Sequence, residues 1–402
     1  MRILQVSPEY PPNNLGGGGI LVENLTRGLV QKNFEVTVIS GYYPVEGFFD
    51  RPYSQLLKKI NIAWIPLLPT PKTGFQLKTI MPPNLLAFLK LLQIFIRGNF
   101  DVVHIHGFGH FFCDIVSILC RATHKQYVLT IHGFPKEPER RGGILEAIYR
   151  IYTKTMGRQL ITHAVQNVVV SRSLLFELTK FFPENRKKTQ IIHNTINLEA
   201  YFPIGSFKSK KLLEKYDLIE KKIILCIGRL SANKGFQNAI RALPIVIKRV
   251  PNAHLGIIGK DEGYNYLNEL RRIIQQEKME AHVTFFGGIN DEEKQKLLWS
   301  ANLVLIPSIE EAFGLVALEA MAAGKPIIAT KVGGLQEVLS SDDFSLLIDR
   351  ENMTQLEDAL IKGLCNENLV TLAKSNISER VCSFHLDSMV KKYVKIYKKI
   401  TN

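Results

Sequence analysis

Two glutamates, Glu311 and Glu319, stand eight positions apart in the string PSIEEAFGLVALEAMAAGKPIIAT, residues 307–330. An apolar run over 301–306 stops at Pro307 and reads as the end of a buried strand. Phe313-Gly314 then opens a run rich in Ala, Leu and Met, which Gly324 and Pro326 close, and a second apolar strand follows over 326–329. A strand that turns into a helix N-terminus makes an anion site, because free backbone N–H groups and the positive end of the dipole point outward. Glu311 falls in the turn and Glu319 inside the helix, so the two acids are expected to do different jobs at one ligand. Two glutamates alone read equally well as solvated acids on a surface helix; the whole 24-residue string does not.

Basic residues supply the complement. In ILCIGRLSANKGF, residues 224–236, a strand ends at Gly228, and Arg229 and Lys234 bracket a loop that enters a helix near Gly235. Two cations at a strand's carboxyl end suit a diphosphate, whose charge must be neutralised as it leaves. A third stretch, PPNNLGGGGIL, lies between the first strand and the first helix. Gly16, Gly17, Gly18 and Gly19 allow close backbone approach to a ligand at a helix start, and a plain flexible turn is the other reading. The stretch is not a G-x-G-x-x-G with an acidic residue some twenty positions later, so the dinucleotide reading fails on context.

Histidines mark other strand ends. His132 closes YVLTIHG, and His104 and His106 share a strand face by alternation in DVVHIHGFGH. Read with His110 they suggest a metal site, but no carboxylate or cysteine completes a set. His106 is better placed as lining an acceptor site, and no metal is expected.

The elements that must hold these residues follow a regular rhythm. Strands are expected at 2–6, 35–40, 62–66, 101–105, 126–131, 167–170 and 190–192, with helices at 19–32, 84–97, 110–122, 143–158 and 172–180. After a Lys-rich stretch, 203–222, the pattern restarts with strands at 223–227, 254–258, 283–286, 302–306, 326–330 and 346–348. Strands separated by helices of this length imply βαβ crossovers and parallel sheets. Two doubly wound halves follow, 1–203 and 204–383, with ligands at the carboxyl ends of strands and the active site expected in the cleft between them.

The 307–330 string resembles the E-x7-E signature of glycosyltransferase family 4, the glycosyl transferases group 1, which are retaining enzymes of the GT-B fold. The resemblance implies two facing Rossmann-like domains with an interdomain cleft. It puts Glu311 near the donor sugar, Glu319 on the nucleotide ribose, and the turn Phe313, Gly314, Leu315, Val316 against the phosphates. The family's G-R-x-x-x-x-K-G pattern is matched by Gly228, Arg229, Lys234 and Gly235, which assigns Arg229 and Lys234 to the donor pyrophosphate. It further implies that Gly16–Gly18 approach the β-phosphate and that His132 lies near the donor sugar. The last helix, about 384–402, is expected to cross back onto the first domain.

Other segments match with departures. In IIHNTINLEAYFP, residues 191–203, His193, Thr195 and Asn197 replace the family's usual Pro, Gly and Asp, while Asn194, expected beside the acceptor, and Phe202 remain. Lys260-Asp261 interrupts a usual Gly-x-Gly turn, with Gly259 and Gly263 kept, and Gly333, Gly334 and Glu337 fit a G-G-x-x-E loop.

Composition sets the outer bounds. The 402 residues, 46% apolar and 22% charged, suit two globular domains. No uncharged run of eighteen apolar residues occurs, and MRILQVSPEY reads as a strand and not a signal peptide, so a cytoplasmic protein is expected. Five cysteines without a CxxC pair read as reduced, buried thiols. The net charge is +14, and residues 1–200 hold 23 Lys and Arg against 13 Asp and Glu. That excess suits a phosphate-bearing acceptor or an anionic membrane surface, and no nucleic-acid motif accompanies it. Residues 81–98 are read as a core helix, with an interfacial helix meeting a lipid-linked acceptor as the alternative.

The sequence therefore points to a retaining, metal-independent hexosyltransferase. It needs no cofactor and takes a UDP- or GDP-linked sugar as co-substrate and a glycan, lipid-linked or small-molecule hydroxyl as acceptor. A non-catalytic nucleotide-sugar-binding subunit and a sugar-nucleotide epimerase are the rival readings.

Overall fold

The computed structural model describes residues 1–11, 17–42, 60–66, 85–134, 144–202, 210–261, 265–339, 345–366 and 380–401. Gly16 and Gly263, and residues 203–209 of the Lys-rich stretch, lie outside them.

Two compact units divide the chain. The first comprises Met1–Asn194 with Leu386–Asn402, the second Thr195–His385. Seven strands build the first sheet: β1 (Arg2–Ser7), β2 (Glu35–Tyr42), β3 (Asn61–Pro66), β4 (Val102–His106), β5 (Tyr127–Ile131), β6 (Gln166–Val169) and β7 (Thr189–Ile191). Their spatial order is β3-β2-β1-β4-β5-β6-β7, parallel throughout. The strands are apolar runs with few alternating polar residues, as sheets covered on both faces require. Ile3, Leu4, Ile105, Val128 and Leu129 are all inaccessible.

The C-terminal helix Leu386–Thr401 completes this unit. Met389, Val390, Tyr393, Ile396 and Tyr397 join the cluster built by Val22, Leu25 and Leu29 of the helix Gly17–Gln31. Gly28 is what allows the approach, since a Cβ there would run into the side chain of Val390.

In the second unit, β8 (Lys222–Ile227), β9 (Ala253–Ile258), β10 (Val283–Gly287), β11 (Leu303–Ile306), β12 (Ile327–Thr330) and β13 (Ser345–Ile348) form a parallel sheet ordered β10-β9-β8-β11-β12-β13. Both orders reverse direction beside their first strand. Each sheet therefore has a switch point, between β1 and β4 and between β8 and β11, where adjacent loops diverge and ligands bind. The apolar segments predict these strands to within a residue or two, most of them bounded by Gly, Pro or Asn.

Three features depart from the expectations. The helix expected over 143–158 begins at Ile144 but passes through a π turn, Thr153–Gly157, before continuing as Arg158–His163. The helix Leu85–Arg97 is not buried all round: Leu91 and Phe95 are enclosed, whereas Phe88, Leu89 and Ile96 are exposed. Cys113, Cys120 and Cys226 are buried thiols, but Cys365 and Cys382 are exposed, each at the end of a helical segment.

Candidate active site

The second unit brings the acidic and basic motifs together at its switch point. The loop after β8 carries Gly228, Arg229 and Lys234; the loop after β11 carries Ser308, Glu311 and Gly314. Gly235 is the hinge of their contact. It has φ +71°, and a Cβ would overlap the carbonyl oxygen of Pro307. Only glycine permits both that conformation and that approach. The Ile309 N–H then donates to the Asn233 carbonyl at 2.8 Å. With the loops so docked, Lys234 Nζ reaches Glu311 Oε2 at 2.7 Å, with both side chains less than a fifth exposed.

A third loop, after β12, locks Glu311 from below. Gly333 has φ +49°, and a Cβ there would collide with the Glu311 carbonyl oxygen. The Gly334 N–H donates to that same oxygen at 3.1 Å. The pair Gly333-Gly334 thus fixes the backbone of the acidic residue from a distance of over twenty positions in sequence.

The helix Leu315–Ala322 begins at Gly314, in the left-handed region at φ +107°, and no side chain caps it. An uncapped N-terminus presents open N–H groups and the positive end of the dipole. Phe313 itself is buried edge-on against Phe384, at 5.9 Å between ring centroids, so this turn offers a ligand backbone and not the phenyl ring. Leu315 and Val316 are half-buried at the helix start.

One turn further on, Glu319 is 8% exposed. Its Oε1 accepts from Tyr201 Oη at 2.9 Å and from Lys294 Nζ at 3.1 Å. Its Oε2 is buried without a hydrogen-bond partner. Burial is the largest single influence and lowers the Lys294 pKa, but the Glu319 carboxylate, the Tyr201 hydroxyl and Asp291 together outweigh it and the net shift is upward, so Lys294 stays charged. Trp299 Nε1 donates to the Tyr201 carbonyl at 2.8 Å and fixes the tyrosine. Tyr201 and Lys294, which both bond Glu319, are residues of this candidate site that the sequence reading missed. Neither has a local spacing that signals it, because each meets Glu319 only through the fold.

The first unit has its own polar cluster at the carboxyl ends of β1, β4 and β5. His106 Nδ1 lies 3.3 Å from His132 Nε2, with the rings stacked 5.5 Å apart, and His106 Nε2 lies 2.5 Å from Gln5 Oε1. His132 Nδ1 has no partner. Burial, reinforced by nearby His110, pushes the His132 pKa down to about 4, so it is neutral at pH 7. His104 departs from this group. It is fully enclosed, bonded to Tyr397 Oη at 2.6 Å and to Thr130 Oγ1 at 2.7 Å, and serves the core. Among the described residues no group of three or more His, Cys, Asp or Glu is arranged to hold a metal ion. Gly17 and Gly18 form the first turn of the helix Gly17–Gln31, with open space beside Gly18, and Asn194 is buried just past β7.

Residues 209–380 match the family described as glycosyl transferases group 1, and residues 15–200 match glycosyltransferase family 4. The uncharacterized glycosyltransferase MJ1607 of Methanocaldococcus jannaschii is 30% identical over 99% of this chain and 98% of its own. The N-acetyl-alpha-D-glucosaminyl L-malate synthase of Bacillus anthracis is 27% identical over 96% of this chain and 94% of its own. Among solved structures, Anabaena HepE in complex with UDP and glucose superposes with a TM-score of 0.79 at 18% identity, covering 99% of this chain and 100% of that one. That likeness identifies the fold as the GT-B type.

Proposed function

Because this chain belongs to glycosyltransferase family 4, the glycosyl transferases group 1, we propose that it transfers a hexosyl group from a UDP-linked sugar to an acceptor hydroxyl, with retention of configuration and without a metal ion. The observation that carries the reading is the convergence of Lys234, Glu311 and Glu319 around one uncapped helix start.

Each group has a distinct task. Lys234 and Arg229, with the N–H groups at Leu315 and Val316, stabilise charge on the departing diphosphate. A lysine ammonium has three donors, so Lys234 keeps its bond to Glu311 and still offers two to phosphate oxygens. Glu311 holds Lys234 and orients donor hydroxyls. The unsatisfied Oε2 of Glu319 accepts from a ribose hydroxyl, while Tyr201 and Lys294 hold the carboxylate in place through Oε1. The acceptor oxygen bonds to the anomeric carbon on the face the diphosphate leaves, and its proton passes to the departing phosphate oxygen. His132, neutral at pH 7, acts as an uncharged hydrogen-bonding group toward the reacting sugar. His106 and Asn194 are assigned to the acceptor side, and Gly17–Gly18 to the donor β-phosphate.

The HepE complexes with UDP and with UDP-glucose support a UDP-linked donor. A cytoplasmic enzyme that touches an anionic membrane is the second part of the proposal. No helix among the described residues is long and apolar enough to cross a membrane. Exposed Phe88, Leu89 and Ile96, flanked by Lys90 and Arg97, suit shallow insertion beside acidic headgroups.

A thermal-shift screen of UDP-, GDP- and ADP-sugars tests the donor. A ligand present at a hundred times its Kd stabilises by about 2.7 kcal/mol, which is readily seen. The anomeric coupling in the product, followed by proton NMR, tests retention. No shift with any nucleotide, or an inverted product, overturns the proposal.

A further inference from the structure

Gln5 stands in the middle of β1, between β2 and β4, and is wholly inaccessible; His106, at the end of β4, is 2% exposed. An amide at the centre of a parallel sheet carries a desolvation cost that an apolar side chain of the same length does not. Here the cost is only half met. Gln5 Oε1 lies 2.5 Å from His106 Nε2, while Gln5 Nε2, on the side of the Tyr397 hydroxyl, is buried without a formed hydrogen bond. Stability alone gives no reason for an amide at this position. The proton it fixes on the neighbouring ring does.

An amide oxygen only accepts, so the His106 ring must carry its proton on Nε2. A neutral imidazole then presents a lone pair at Nδ1. That lone pair lies 3.3 Å from His132 Nε2, with the two ring planes 11° apart, and it is filled by the His132 Nε2–H. Burial keeps both rings uncharged at pH 7, so each has one proton to place. His132 spends its proton on His106 and is left with an unpartnered lone pair at Nδ1. One amide therefore decides the whole chain. With Gln5 Nε2 turned toward His106 instead, both protons would move and His132 Nδ1 would become a donor.

We propose that Gln5 is a positioning residue that sets the His132 tautomer through His106, so that His132 Nδ1 accepts a hydrogen bond from a hydroxyl of the sugar substrate. The proposal rests on the glycosyltransferase reading and names the group that His132 takes. A hydroxyl has the proton this nitrogen lacks, whereas a carboxylate would set lone pairs against a lone pair. His106, with both ring nitrogens engaged, acts only through His132.

Long-range proton–nitrogen NMR spectra of the full chain, labelled with nitrogen-15 and held at pH 7, read the tautomers directly. His106→Gln and His132→Gln supply the assignments. Both rings are expected to be protonated at Nε2 and bare at Nδ1. UDP-glucose, UDP-galactose and UDP-N-acetylglucosamine are then added at saturation, with UDP as the control. At least one of the three is expected to move His132 Nδ1 upfield, as accepting a hydrogen bond requires, and UDP alone is not. Gln5→Met keeps the length and removes the acceptor. It is expected to abolish the uniform Nε2 tautomer of both rings and to weaken that sugar nucleotide, relative to UDP, by about tenfold. The backbone amide spectrum verifies its fold, and the wild-type tautomers decide the matter if that variant does not fold. A proton on His132 Nδ1 in the wild type, or unaltered tautomers in folded Gln5→Met, overturns the proposal. Sugar nucleotides that bind by calorimetry without moving His132 Nδ1 reject the proposal and leave the transferase reading standing. If no nucleotide binds, the transferase reading fails, and the tautomers of the free protein still decide the role of Gln5.

Discussion

Acid should unfold the first unit well before the second. His104 and His106 are fully enclosed in the first unit, and His110 and His132 lie beside them. Burial pushes all four below the ordinary imidazole range, with His132 and His110 at about 4. Unfolded imidazoles take up protons near pH 6.5 while the folded ones stay neutral. The unfolded chain thus binds more protons, and stability falls as pH drops from 6.5 toward 4. For His132 the loss at pH 5 is about 2 kcal/mol, from 1.36 kcal/mol per unit over roughly 1.5 units. His104, His106 and His110 act in the same direction, while Asp114, whose carboxyl burial raises to about 7, acts the other way and offsets part of the loss. The second unit has one comparable group, His254, also lowered to about 4 chiefly by burial. Against a typical domain stability of about 5–15 kcal/mol, the first unit's loss is large. Urea titration at pH 7.5 and pH 5.0, with hydrogen exchange read by mass spectrometry to separate the units, measures it. Peptides of the first unit should lose protection at much lower urea at pH 5.0, and His132→Gln should reduce the pH slope. Equal acid sensitivity of the two units, or histidine Cε1 protons titrating near 6.5, would refute the reasoning.

Other perturbations probe the nucleotide-side site. Lys294→Met removes the cation beside a carboxylate only 8% exposed and should cost about 3–5 kcal/mol in urea unfolding; a loss under about 1 kcal/mol would contradict the buried pairing. Gly333→Ala places a side chain in the left-handed region and against the Glu311 carbonyl, so destabilisation of more than about 1 kcal/mol and weaker donor binding by titration are expected. Tyr201→Phe keeps the ring but removes one donor to Glu319, and about 1 kcal/mol of stability should go with it in the same assay.

The strands were legible because they are short apolar runs, most of them closed by Gly, Pro or Asn. The spacing of Glu311 and Glu319 was legible because one turn and one helix separate them. Lys294 and Tyr201 were not, since the tyrosine is 118 positions from the carboxylate it bonds. His104 shows the same limit. Alternation places it on the His106 face, but only the arrival of Tyr397 from the C-terminal helix commits it to the core. The π turn left no periodic trace either, as one wide turn inside an apolar helical run barely alters the pattern.

Transfer from the donor found in the nucleotide screen, compared between wild type and Lys234→Ala, tests the central claim most directly. Removing one preorganised donor to a developing oxyanion typically costs about 10²–10³ in rate. The account predicts a loss of at least about a hundredfold in Lys234→Ala, with the fold kept as judged by circular dichroism. Wild-type turnover in that variant would contradict it.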